Sequence, residues 1–158
     1  MLRVALILCF LLSSLPVAAK KITGVASVTD GDSIEIRGTR IRLHGIDAPE
    51  SRQFCTRPSG QSWRCGQQAA LSLSDRIGRR SVSCISRDTD RYGRTIAVCS
   101  QDEVDLNAWM VREGWAVAYQ KYARDYVPDE KEAQTAERNI WSGTFVMPWD
   151  WRDGVRSP

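Results

Sequence analysis

The sequence holds a single histidine, His44, and no Cys-x-x-Cys pair, so the usual ligand sets for a tetrahedral zinc site are missing. It has no internal repeat and no low-complexity segment. Lysine is scarce, with four against eighteen arginines. The formal net charge of +3 is too small to prove a nucleic-acid partner, but arginine is the better bidentate partner for phosphate. Only Val4 to Leu15 forms a sustained apolar run, and it is short for a membrane span and stopped by Pro16. A chain of 158 residues has room for one domain with a proper core, not two.

Residues 1–19 read as a signal peptide rather than part of the fold. Arg3 is a minimal positive start, the apolar run follows, and Val17-Ala18-Ala19 places small residues before Lys20. The rival reading, an uncleaved membrane anchor, is weakened by the length of the run and by Pro16. The expected mature domain is therefore 20–158, exported to the periplasm or secreted. Cys9 leaves with the leader. Cys55, Cys65, Cys84 and Cys99 remain, an even number for an oxidising compartment, with three pairings possible in principle.

Ile22 to Val28 reads as a first strand, turned at Asp30-Gly31 into Ser33 to Arg37. Gly38-Thr39 turns the chain again, and a register counted from there sets Glu35 opposite Arg42. Ser51 to Arg64 is a loop that a Cys55–Cys65 bridge would close. Gly66 to Ile77 has a helical stripe of Ala70, Leu73 and Ile77, ended by Gly78. Ser81 to Arg87 and Arg94 to Ser100 form a hairpin whose register, centred between Arg91 and Tyr92, puts Cys84 opposite Cys99. That agreement supports a Cys84–Cys99 bridge and favours local pairing over the crossed alternatives. Asp105 is placed to cap a helix through Glu113, and Pro128 opens another over 129–140. Trp141, Trp149 and Trp151 read as a tail packed back on the domain. The pattern, a β-meander with interleaved and trailing helices, predicts an α+β protein, mainly β: a five-stranded OB-fold barrel with three helices.

The chemistry concentrates in Arg40-Ile41-Arg42-Leu43-His44-Gly45-Ile46-Asp47-Ala48-Pro49-Glu50. Its first half alternates as a strand, and Pro49 then fixes a turn that carries Asp47 and Glu50 just beyond Arg42. The meander returns Asp32 toward Asp47. Acids beside an arginine at a strand end suit a metal ion and a phosphate held together, although an ordinary turn with a salt bridge uses the same residues. Arg91, Tyr92 and Arg94 stand at a hairpin tip, where basic residues are often merely solvated.

Three segments, Thr29-Asp30-Gly31-Asp32-Ser33, Arg42 to Glu50 and Asp90-Arg91-Tyr92-Gly93-Arg94, resemble in order the signature segments of the staphylococcal nuclease (thermonuclease) family. Asn139-Ile140-Trp141 resembles the end of that family's last helix. The resemblance implies an OB barrel and a calcium-dependent nuclease acting on DNA and RNA, leaving 3′-phosphate ends. It implies that Asp32, Asp47 and the Ala48 carbonyl hold Ca2+, that Arg42 and Arg94 bind phosphate, and that Glu50 is the general base. Tyr92, with Arg91 beside it, matches a position that contacts the nucleotide, and Tyr119 is a looser match to an aromatic lining the base pocket. Ser33 and Ala48 depart from the commonest pattern. Ser33 keeps a hydroxyl, and a carbonyl ligand does not depend on its side chain. The expected partners are nucleic-acid substrates alone, with the chain a monomer.

Two other classes use part of this set. A non-catalytic OB module binding single strands has no need of Asp32, Asp47 and Glu50, because bare carboxylates repel phosphate. A secreted domain that binds calcium only for stability has no need of Arg42 and Arg94.

Overall fold

A computed structural model describes residues 20–157. The signal-peptide expectation, Cys9 included, falls on 1–19 and so lies outside the described residues.

The described residues begin with three antiparallel strands, β1 (Lys21–Asp30), β2 (Ser33–Ile36) and β3 (Thr39–Leu43). Short pieces follow: β4 (Ile46–Asp47), β5 (Cys55–Thr56) and β6 (Ser62–Trp63), then helix α1 (Cys65–Ile77). Next come β7 (Ser81–Thr89), β8 (Thr95–Gln101), β9 (Val104–Asp105), α2 (Leu106–Arg112) and β10 (Val117–Ala118). The chain ends with α3 (Val127–Thr135), a 3₁₀ turn at Asn139–Ser142 and α4 (Pro148–Arg152).

Strands β3, β2, β1, β7 and β8 lie side by side, and a parallel pairing of β3 with β8 closes them into a barrel. The order and the single parallel seam are those of an OB-fold, so the expected class and strand number hold. Alternation in β1 buries Ile22, Gly24 and Ala26 and turns their neighbours outward. Ile34, Ile36, Ile41, Leu43, Val82 and Ala97 fill the interior with almost no exposed surface. Helix α1 closes one side through Gly66, Ala69, Leu73 and Ile77, spaced by three and then four residues; Ala69, not the expected Ala70, is the buried alanine.

Two registers differ in outcome. Cys84 stands directly opposite Cys99 and the two are bridged, as are Cys55 and Cys65. Glu35, by contrast, pairs with Arg40, and Arg42 pairs with Ser33. The second turn is Arg37-Gly38, both at positive φ (50° and 78°), one residue earlier than Gly38-Thr39. Two left-handed residues give the turn the twist that flanking strands need. Arg42 is thereby released from a cross-strand carboxylate.

The helices also depart from expectation. The predicted 129–140 helix ends at Thr135, because Glu137 and Asn139 take positive φ (both near 50°, at 49° and 46°) and break the spiral. Asp105 does cap α2, accepting the Ala108 N–H at 3.0 Å. A fourth short helix, α4, lies in the aromatic tail, which packs on the body as expected. Trp149 stacks on Tyr119 with centroids 5.3 Å apart, and Pro148 is buried.

Candidate active site

The end of the barrel where β1 turns into β2 and β3 runs into β4 brings distant acids together. Asp32 sits in the first turn, buried, and its carbonyl accepts the Leu43 N–H at 2.8 Å, fixing it beside β3. Asp47 follows from β4, which is held by β10, and its side chain has no exposed surface. Gly31 permits the approach: a Cβ there would stand 2.7 Å from Ala48 Cβ and 3.0 Å from Ala69 Cβ.

Arg42 joins the two acids. Its Nη1 donates to Asp32 Oδ1 at 2.9 Å and its Nη2 to Asp47 Oδ1 at 2.7 Å, so both carboxylates lie within one guanidinium. Asp32 also accepts the Ser33 hydroxyl at 2.9 Å and the Ala48 N–H at 3.1 Å. The serine hydroxyl thus donates to the first acid of the cluster. Ala48 presents its N–H to the cluster through Asp32, which leaves the carbonyl free of that bond. Glu50 stands at the rim, half-buried, with its N–H donated to Gln53 Oε1 at 3.1 Å. Gln53 is fully buried and fastens the acid turn to the tail by donating to the Val146 carbonyl.

A residue not singled out from the sequence completes the cluster. Arg152, the last residue of α4, donates to Asp47 Oδ2 at 2.7 Å, to Asp47 Oδ1 at 3.0 Å and to Glu50 Oε1 at 2.7 Å. Nothing in local spacing marks it, since it lies more than a hundred positions beyond its partners.

The electrostatics follow from burial. Desolvation pushes the Asp47 carboxyl up from its ordinary value, against the hydrogen bond from Arg152. Burial works against the charge of Arg42, but Asp32 and Asp47 beside it raise its pKa. Asp30, next to Asp32, is pushed up to about 6 by burial and then by its neighbour's charge. Two guanidiniums are what make a fully enclosed Asp47 tolerable.

The hairpin-tip residues form a second group. Arg94 leads into β8 and its Nε donates to Asp90 Oδ2 at 2.7 Å. Burial pushes Asp90 up, but the Arg94 N–H and guanidinium outweigh it and hold the carboxyl below its usual value. No bond joins Arg94 to the three acids, although Thr95 pairs with Ile41 on the strand that carries Arg42. Tyr92 is 60% exposed, and the Arg91 guanidinium lies 4.9 Å from its ring centre. Tyr119 is half-buried, with one face on Trp149 and an edge contact to Tyr122.

The donor set suits a hard cation. Two carboxylates that share one guanidinium can share an ion, and carboxylate and carbonyl oxygens are what calcium or magnesium takes. Among the described residues no three of His, Cys, Asp and Glu are grouped closely enough to form a closed all-side-chain cage. An ion here would therefore complete its shell with carbonyl, water or substrate oxygens.

The family model described as "Staphylococcal nuclease homologue" matches residues 40–143. The chain belongs to the staphylococcal nuclease family. It is 37% identical over 127 residues to the succinoglycan biosynthesis protein ExoI of Rhizobium meliloti (strain 1021), covering 78% of this chain and 66% of that one. It is 34% identical to a protein named micrococcal nuclease from Shigella flexneri, over 90% of this chain and 86% of the other. An uncharacterized endonuclease of Escherichia coli is 36% identical, over 88% and 90%. Asp32 and Arg152 both lie outside the stretch that the family model matches.

Proposed function

We infer that this chain is a hydrolytic nuclease that cleaves phosphodiester bonds of DNA and RNA with calcium, leaving 3′-phosphate ends. The observation that carries the reading is the pairing of Asp32 and Asp47 on one arginine at the barrel end, with Glu50 at the rim. Family membership and the nuclease names of its relatives support the reaction class. The oxygen donors support a hard ion.

In this reading Asp32, Asp47 and the Ala48 carbonyl hold the ion, which when bound supplies positive charge to a phosphoryl oxygen. Arg42 is already beside the two acids and would bind a second oxygen of the scissile phosphate. Arg94 is tied to Asp90 through Nε, and its Nη atoms have no hydrogen bond among the described residues. Those Nη groups are the ones available to phosphate. Preorganised donors of this kind are worth about 3–4 kcal/mol each in the transition state. Glu50 stands at the rim of the cluster and would take a proton from the attacking water, a contribution of about 10²–10⁴-fold. Tyr92 and Arg91 supply an exposed ring and charge for the nucleotide. Tyr119, with its ring already on Trp149, lines the base side by its remaining surface.

The two disulfides suit an oxidising compartment, in keeping with export. The test is to incubate the mature chain, 20–158, with plasmid and with RNA, in calcium or in excess chelator. Degradation that needs calcium is expected. Calcium-dependent thermal stabilisation with both nucleic acids intact would instead assign the site a structural role.

A further inference from the structure

The acid cluster is met from the far end of the chain, and the meeting is built rather than incidental. The segment carrying Arg152 is fastened at several points. Thr56 and Thr144 exchange backbone hydrogen bonds at 2.8 and 2.9 Å, and Gln53 Nε2 donates to the Val146 carbonyl at 2.6 Å. Pro148 is buried and Trp149 stacks on Tyr119. These contacts tie the tail to the loop closed by Cys55–Cys65 and to the segment after β10. The guanidinium is thus delivered to the cleft by a framework. The cleft itself, of 320 Å³, has Trp151, Arg152 and Arg156 as one wall, facing Asp30 and Glu50.

Consider what an incoming cation finds. Asp47 Oδ1 carries bonds from Arg42 and Arg152, and Oδ2 carries one from Arg152. With no exposed surface on that side chain, an ion must replace a bond rather than add to the set. Arg42 is the harder to displace: its side chain is 18% exposed against 37% for Arg152, and Asp32 holds it as well. Arg152 is therefore the group that yields on Asp47. Its Nη1 donates to Glu50 Oε1 at 2.7 Å as well as to Asp47 Oδ1 at 3.0 Å, so it can keep the shorter bond to Glu50 when both bonds to Asp47 are given up.

We propose that Arg152 is a positioning residue of the site, pairing with Asp47 until a divalent ion takes that carboxylate and thereafter holding Glu50 in place. This rests on the reading of the site as a metal-dependent phosphodiesterase centre. Two consequences have opposite signs. Arg152 weakens ion binding, because a fixed positive charge competes for the same oxygens. It also raises turnover, because the proton acceptor is held in place.

The experiment uses the mature chain and its Arg152→Gln and Arg152→Lys variants. Calcium chloride is titrated calorimetrically into each protein without nucleic acid. Cleavage of a labelled oligonucleotide is then measured at saturating calcium, with circular dichroism checking that each variant is folded. Arg152→Gln is expected to bind calcium about tenfold more tightly, since one competing charge a few ångströms away is removed. Its kcat is expected to fall by about tenfold or more, with KM little changed. Arg152→Lys, which keeps the charge but loses the two-pronged geometry, should fall between.

An anchor that merely holds the tail would lower stability, ion binding and turnover together, and could not tighten calcium. Unchanged or weaker calcium binding in a folded Arg152→Gln, or in Arg152→Lys should the first variant not fold, overturns the proposal. So does absence of calcium binding in all three proteins. If the parent chain binds calcium and cleaves while both variants match it, the nuclease reading stands and only the role of Arg152 falls.

Discussion

Gly66 is the second residue of α1, where alanine is the better helix former by about 1 kcal/mol. On propensity alone, Gly66→Ala should stabilise the protein. The structure predicts the reverse. A Cβ at that position would lie 1.7 Å from the Glu50 carbonyl oxygen, 2.5 Å from its carbon and 2.9 Å from the Pro49 oxygen. Ordinary contact lies near 3.5 Å, so helix and acid turn must separate by about 1.5–2 Å. All three atoms are backbone, and no flexible side chain can swing away. Overpacking of this kind costs about 1–3 kcal/mol, which offsets and exceeds the propensity gain. Because the atoms displaced belong to Glu50 and Pro49, turnover should suffer more than stability: a shift of about 1 Å costs on the order of a hundredfold. Urea unfolding and initial rates at equal folded concentration measure the two effects, with Gln67→Ala, one exposed position on, as the control. A Gly66→Ala protein as stable and as active as its parent would refute the packing argument.

Glu50→Gln should lower turnover by about 10²–10⁴-fold with cooperative unfolding retained, measured by cleavage rate and thermal melting. Arg94→Ala should lose about 10²-fold in rate while folding normally, since its partner Asp90 lies on an open hairpin tip. Replacing Cys84 and Cys99, which close a 15-residue span, should cost about 3 kcal/mol in urea unfolding. Glu130 gives a pH test. Burial raises its pKa above the unfolded value of 4.5, against the Ala118 N–H that it accepts at 2.9 Å. Between those two values the folded state holds the extra proton, so stability declines as pH rises through that window. Glu130→Gln should therefore match the parent near pH 4 and gain on it at pH 7, read from paired urea curves.

Much of this arrangement is legible in the residues, and the failures have physical causes. The hairpin of β7 and β8 was readable because two independent signals, the Asp90–Gly93 turn and the cysteine positions, demand one register. The first meander offered only a turn, and Arg37 at positive φ moved it by one residue without any sequence sign. That single step took Glu35 from Arg42 and left the guanidinium for Asp32 and Asp47. The shortened α3 has a similar origin in Glu137 and Asn139. The acids and Arg42 could be named because they lie on short strands and rigid turns close in sequence. Arg152 could not, because only tertiary packing of an aromatic tail brings it to them.

The proposed chemistry depends on where a divalent ion sits. The most direct measurement is a crystal structure of the mature chain grown with calcium and a non-hydrolysable nucleotide phosphate, with the ion located by anomalous scattering. The predicted result is one ion shared by Asp32 and Asp47 with the Ala48 carbonyl, the phosphate on Arg42 and Arg94, and Arg152 released from Asp47. An ion bound elsewhere, or a phosphate seated with Asp47 still held by both arginines, would contradict it.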